Sequence, residues 1–147
     1  MDDWMIRLLK LGGKGYTCSQ IILLLGLEMR GESNPNLVRA MAGLAYGCGS
    51  GRASCGALTG GCCLLALYAA KGSDEETQSE KLQAMLQDLS DWFGNQIEDP
   101  SGGMTCETIV GQEGPAASRQ RCGSLVADTF AKVIEILQTY EFDLSSS

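Results

Sequence analysis

The chain has 147 residues, 44% of them hydrophobic but only 6% aromatic, and its 11 basic and 18 acidic residues give a formal charge of −7 with no histidine at all. That length lets one domain, residues 1–147, bury a core without disulfide staples, while the acidic balance argues against nucleic acid and anionic membranes as partners. Lack of histidine removes imidazole haem ligation, histidine-containing zinc sites, cysteine proteases of the Cys-His kind and the commonest general base.

Apolar spacing is helical almost throughout, so the predicted class is all-α, a compact bundle of about six helices. Trp4, Ile6, Leu8, Leu9 and Leu11 mark a first helix that Gly12, Gly13 and Gly15 end. Thr17 and Gln20 stand in capping-box positions for a second, from Cys18 to about Met29. Its apolar run from Ile21 to Leu27 is too short to span a bilayer, and Met1-Asp2-Asp3-Trp4 does not read as an export signal, so the expected location is cytoplasmic. Asn34-Pro35 supplies an N-cap and first-turn pair for a third helix carrying Leu37, Val38, Met41 and Leu44, which the glycines of residues 43–51 break.

From Cys55 to about Ala70 the chain is apolar nearly all round, the signature of a central buried helix. Ser73 with Glu76 predicts the cap of an amphipathic helix whose Leu82, Met85, Leu86, Leu89 and Phe93 form one stripe. Gly94, Asn95, Pro100, Gly102 and Gly103 predict a loop. A short helix from Cys106 to Val110, a break from Gly111 to Pro115 and a last helix from about Ser118 to Tyr140 complete the chain. Trp4 and Trp92 read as partial core.

Seven cysteines without an export signal point to metal binding, catalysis or redox sensing rather than to a secreted disulfide framework. Three follow a Thr or Ser at a predicted helix start: Thr17-Cys18, Ser54-Cys55 and Thr105-Cys106. A thiol there sits near unpaired backbone N–H groups and the positive end of the helix dipole, which favours the thiolate. Lys14, Arg52, Arg119 and Arg121 are the nearby cations that would reinforce it at Cys18, Cys55 and Cys122. Cys62 and Cys63, inside the apolar helix, read first as packing residues. Cys62 still lies two turns below Cys55 on the same face, and Cys48 sits in the loop Gly47-Cys48-Gly49-Ser50-Gly51. That loop resembles a phosphate-binding turn but follows a helix where the motif needs a strand. Gly56 and Gly60 share a helical face on which a ligand, a cluster or another helix backbone can come close. No C-x-x-C pair is present, so any exchange site is assembled from cysteines distant in sequence.

Cys55-Gly56-Ala57-Leu58-Thr59-Gly60 resembles the Cys-Gly-Ala-x-x-Gly motif of the small bacterial and archaeal redox-active proteins named for the pattern C_GCAxxG_C_C. Cys18 in Tyr16-Thr17-Cys18-Ser19-Gln20, Cys106 in Thr105-Cys106-Glu107, and Cys122 ahead of Leu125-Val126-Ala127-Asp128 are similar to its other three cysteines, a resemblance running from about Tyr16 to Leu137. It implies redox-active cysteines, and the occurrence of related domains beside multihaem cytochromes implies electron-transfer surroundings. Cys48, Cys62 and Cys63 depart from the pattern.

The leading expectation is dithiol/disulfide exchange or electron transfer through Cys18, Cys55, Cys106 and Cys122, with a redox partner protein or a small thiol. Its alternative uses the same four sulfurs as ligands of an iron-sulfur cluster or a soft metal ion, with Cys48, Gly56, Gly60 and Cys62 as further cofactor contacts. A helical accessory subunit whose cysteines only pack is the third. The apolar stripes would also support a homodimer. Convergence of the helix starts of Cys18, Cys55 and Cys106 on one pocket is the structural expectation common to the first two.

Overall fold

Each apolar run with three-to-four-residue spacing becomes a helix in the computed structural model, which describes residues 3–97, 103–110 and 115–145. Among these residues there are seven α-helices: α1 (Asp3–Gly13), α2 (Cys18–Arg30), α3 (Pro35–Met41), α4 (Gly56–Ala69), α5 (Leu82–Gln96), α6 (Cys106–Val110) and α7 (Pro115–Thr139). The loop expected around Pro100 and Gly102 and the break after Gly111 fall largely outside the described residues. The fold is all-α; its sole strand-like pairing among these residues is an antiparallel bridge between Ser54 and Thr105.

Local chemistry sets the helix starts. Gln20 Oε1 accepts from the Thr17 backbone N–H at 3.1 Å, one half of the expected capping box. The Asn34 side chain accepts from the Leu37 N–H at 3.1 Å, and Pro35 follows it in the first turn. Gly31, left-handed at φ 71°, ends α2. The helix expected to start at Ser73 is a correction: Glu76 Oε1 accepts from Gly72 N–H at 2.8 Å and from Ser73 Oγ at 3.2 Å, closing a separate turn, and α5 begins only at Leu82. Residues 74–80 are all polar. A helix there would bring no apolar face to the core, and helices are stabilised chiefly by such faces. Gly94 does not break α5, and α7 starts three residues earlier than expected, at Pro115.

The nearly all-apolar α4 is central, packing against α2, α5 and α7. Leu64 and Leu65 on α4, Met85, Leu89 and Phe93 on α5, and Phe130, Val133 and Leu137 on α7 are fully buried in one cluster. Trp4 of α1 packs its ring on Phe130 at 5.1 Å between centroids. A smaller cluster of Leu23, Leu27, Val38 and Met41 joins α2 to α3. There Ser19 Oγ, wholly buried, donates to the Met41 carbonyl at 2.7 Å.

Helices α2 and α4 meet through the face that Gly56 and Gly60 leave bare. A Cβ at Gly60 would stand 3.0 Å from the Ser19 Cα, so backbone packs on backbone at that crossing. The contact fixes the N-terminal ends of α2 and α4 side by side. Cys18 is the first residue of one, and Cys55 immediately precedes the other. No described helix is long and apolar enough to cross a membrane.

Candidate functional site

Cys18 and Cys55 lie together at the paired helix ends. A Cβ at Gly56 would come within 2.6 Å of Cys18 Sγ and 3.2 Å of the Leu44 carbonyl oxygen. The glycine of the sequence motif is therefore the gap that the Cys18 sulfur fills. Gly60 is occupied from the other side by Ser19, so helix packing accounts for it.

Cys106 is brought in by main chain alone. The Cys55 N–H donates to the Met104 carbonyl at 2.8 Å and the Cys106 N–H to the Ala53 carbonyl at 3.2 Å, the two hydrogen bonds that flank the Ser54–Thr105 pair. One turn is added by Gly47, whose N-terminal neighbour Tyr46 and C-terminal neighbour Cys48 are also left-handed, with φ 56° and 57°. At Gly47, φ is 59°, and a Cβ would meet the Ala53 carbonyl oxygen at 2.7 Å and Cys106 Cβ at 3.0 Å. Only glycine fits that position. The Ala53 N–H in turn donates to the Gly47 carbonyl at 3.3 Å, tying the turn to the bridge.

Electrostatics links the four cysteines. Charge on Cys122 or Cys106 raises the pKa of Cys18, and charge on Cys18 or Cys122 raises that of Cys55. Four sulfurs from α2, the α4 start, α6 and α7 are thus near enough that ionising one opposes ionising the next. All seven cysteines are present as thiols.

The expected thiolate preference at the helix starts is reversed by burial. Cys55 is only 7% exposed, and desolvation pushes its thiol up to about 11, although the N–H groups of Ala57 and Leu58 pull the other way. Desolvation likewise raises Cys18, against the N–H groups of Ser19 and Tyr46, and raises Cys106. Withdrawal from water outweighs the helix-end dipole here. Lys14 and Arg52 remain exposed, and the side chains of Arg119 and Arg121 lie outside the described residues.

The remaining cysteines are placed differently. Cys62 packs on the main core and Cys63 on the smaller cluster; burial pushes Cys62 up to about 11, with Cys63 as its charged neighbour. Cys48 is exposed on the turn at Gly47–Gly51. Among the described residues, no group of three or more Cys, Asp or Glu side chains is arranged to hold a metal ion.

Sequence reasoning missed Tyr46 and Gly47. Their signal is weak, a bulky aromatic before a glycine-rich run, since only the fold shows that the Tyr46 N–H faces Cys18 and that Gly47 abuts Cys106.

Comparison with protein-family models gives a match over residues 16–136 to the family described as "Putative redox-active protein (C_GCAxxG_C_C)". The chain belongs to this family. The match contains all seven cysteines, including the four drawn together at the helix ends. No curated protein and no solved structure gave a match.

Proposed function

We propose that the protein is a thiol–disulfide redox protein whose working groups are Cys18, Cys55, Cys106 and Cys122. The observation that carries this reading is the seating of Cys18 Sγ in the Gly56 gap beside Cys55, with Cys106 tied to the same segment through the Ser54–Thr105 bridge. Family membership supports redox chemistry in general terms.

Burial divides the labour. With its pKa near 11, Cys55 is ionised to only about one part in ten thousand at pH 7, too little to open an attack on a partner. Cys18, Cys106 and Cys122 are all less buried than Cys55. One of these three attacks the disulfide of a partner protein or small thiol; the partner's S–S bond breaks, and its leaving sulfur takes up a proton. A second cysteine then attacks the mixed disulfide and expels the other partner thiol. Two electrons and two protons pass to the partner, and an internal disulfide remains in this protein.

The test is anaerobic isolation, analysis for iron, zinc, copper and acid-labile sulfide, and thiol counting before and after glutathione disulfide. The expected result is metal-free protein that loses at least two thiols on oxidation and regains them with dithiothreitol. Stoichiometric iron with sulfide would overturn the exchange reading in favour of a cluster protein.

A further inference from the structure

Cys18 and Cys106 both approach the same two-residue segment. The Tyr46 N–H faces Cys18 Sγ, and the next residue, Gly47, would have its Cβ 3.0 Å from Cys106 Cβ. Cys55 stands differently. The Ser54–Thr105 pair is flanked by the hydrogen bonds Cys55 N–H to Met104 and Cys106 N–H to Ala53, so Cys55 opposes residue 104 and Cys106 opposes residue 53. The two cysteines are offset by two positions across the bridge. Strand geometry puts such residues about 7 Å apart along the chain and about 5 Å across, a Cα separation of roughly 8 Å. A disulfide needs less than about 7 Å.

We propose that Cys106 forms its internal disulfide with Cys18, and that the Ser54–Thr105 bridge keeps Cys106 from pairing with Cys55. The proposal rests on the exchange reading above and assigns its resolving step. Charge coupling bears only on the excluded pair: Cys122 and then Cys106 act on Cys18, whereas Cys106 is not among the thiols acting on Cys55. Cys106, less buried than Cys18, attacks a partner disulfide; one partner sulfur leaves as a thiolate and takes the proton that Cys106 gave up. Cys18 then loses its proton and attacks the Cys106 sulfur, the mixed disulfide breaks, and the second partner thiol departs with that proton. Cys18 and Cys106 are together oxidised by two electrons, and the partner disulfide is reduced to two thiols.

The Tyr46–Gly47 segment is the positioning device for this pair. Its left-handed backbone aims an N–H at one sulfur while its missing Cβ admits the other cysteine.

The experiment treats the full chain with glutathione disulfide at pH 8, quenches with N-ethylmaleimide and maps disulfides by mass spectrometry of peptides. Cys18–Cys106 is expected to exceed Cys55–Cys106 at least tenfold in early samples. In Cys18→Ser, with its helical circular dichroism unchanged, Cys106 is expected to stop at the glutathione mixed disulfide. Cys55–Cys106 as the main early linkage in the wild-type protein, or an internal disulfide of Cys106 at the wild-type rate in Cys18→Ser, would overturn the pairing while leaving thiol exchange intact. Absence of any internal disulfide in the wild-type protein would overturn both. The wild-type map decides the question even if the variant fails to fold.

Discussion

Helix α4 carries thiol chemistry in two settings, Cys55 at its head and Cys62–Cys63 in its middle. Burial pushes Cys55 and Cys62 alike up to about 11, so the strength of desolvation does not separate them. What separates them is their surroundings. Cys55 faces the backbone N–H groups of Ala57 and Leu58 and the sulfurs of Cys18 and Cys122, whereas Cys62 has Cys63 and apolar side chains around it. A helix end supplies unpaired donors and lets other chain segments approach; a helix middle has used its donors already. The same residue type, seven positions apart, therefore sits among backbone donors and other sulfurs in one place and among packed side chains in the other.

The sharpest way to break this comparison is serine replacement. Cys18→Ser and Cys106→Ser should each slow disulfide exchange with glutathione by more than about tenfold, while Cys62→Ser and Cys63→Ser stay within about twofold. Stopped thiol counting reads both, and equal effects at the helix junction and in the middle of α4 would erase the distinction.

Next in size is the crossing that holds the helix heads together. Gly60→Ala puts a methyl 3.0 Å from the Ser19 Cα and should cost roughly 1–3 kcal/mol in urea unfolding, overpacking outweighing the better helix propensity of alanine. Gly12→Ala, on open surface in α1, should be neutral or slightly stabilising by the same measurement.

Alkaline pH probes both settings at once. Cys55 and Cys62 move from 9.0 to about 11 on folding, so both are protonated in the folded and unfolded chains at neutral pH and cost nothing there. As pH rises from 9 towards 11, the unfolded chain loses these protons first and becomes favoured; stability falls on the order of 2 kcal/mol for each thiol across that window. Cys55→Ser and Cys62→Ser should each flatten the decline in a pH series of denaturant melts. Unchanged curves in both would mean that neither thiol is desolvated as described.

The smallest effect expected lies in the core below the cysteines. Thr129, wholly buried on α7 against Gly61, has a hydroxyl without a hydrogen-bond partner among the described residues. Thr129→Val keeps the shape and removes that group, and should raise stability by about 1 kcal/mol in thermal melts without changing exchange rates.

Much of the fold is legible because its causes are local. The apolar stripe of α5, the all-apolar α4, the Thr17–Gln20 pair and Asn34-Pro35 each act within a few residues, and sequence spacing displays them directly. Ser73–Glu76 has the same local form but no apolar face behind it, and its box became a turn. The four cysteines were legible as a set. Their protonation was not, because burial is decided by α2, α5 and α7 closing over α4 rather than by any cysteine's own neighbours. Nor was the Ser54–Thr105 pairing, which joins segments 51 residues apart through main-chain atoms that every amino acid shares.

That pairing makes the site depend on parity. Side chains on an extended segment alternate faces, so adding or removing one residue between the end of α5 and Thr105 is harmless only if the bridge keeps its partner. Should it slip by one, Cys106 would exchange places with a residue pointing the opposite way, its thiol intact but aimed out of the group. Counting residues matters as much here as conserving sulfur. A frame of two hydrogen bonds, indifferent to the identity of Ser54 and Thr105, fixes how far Cys106 stands from Cys55.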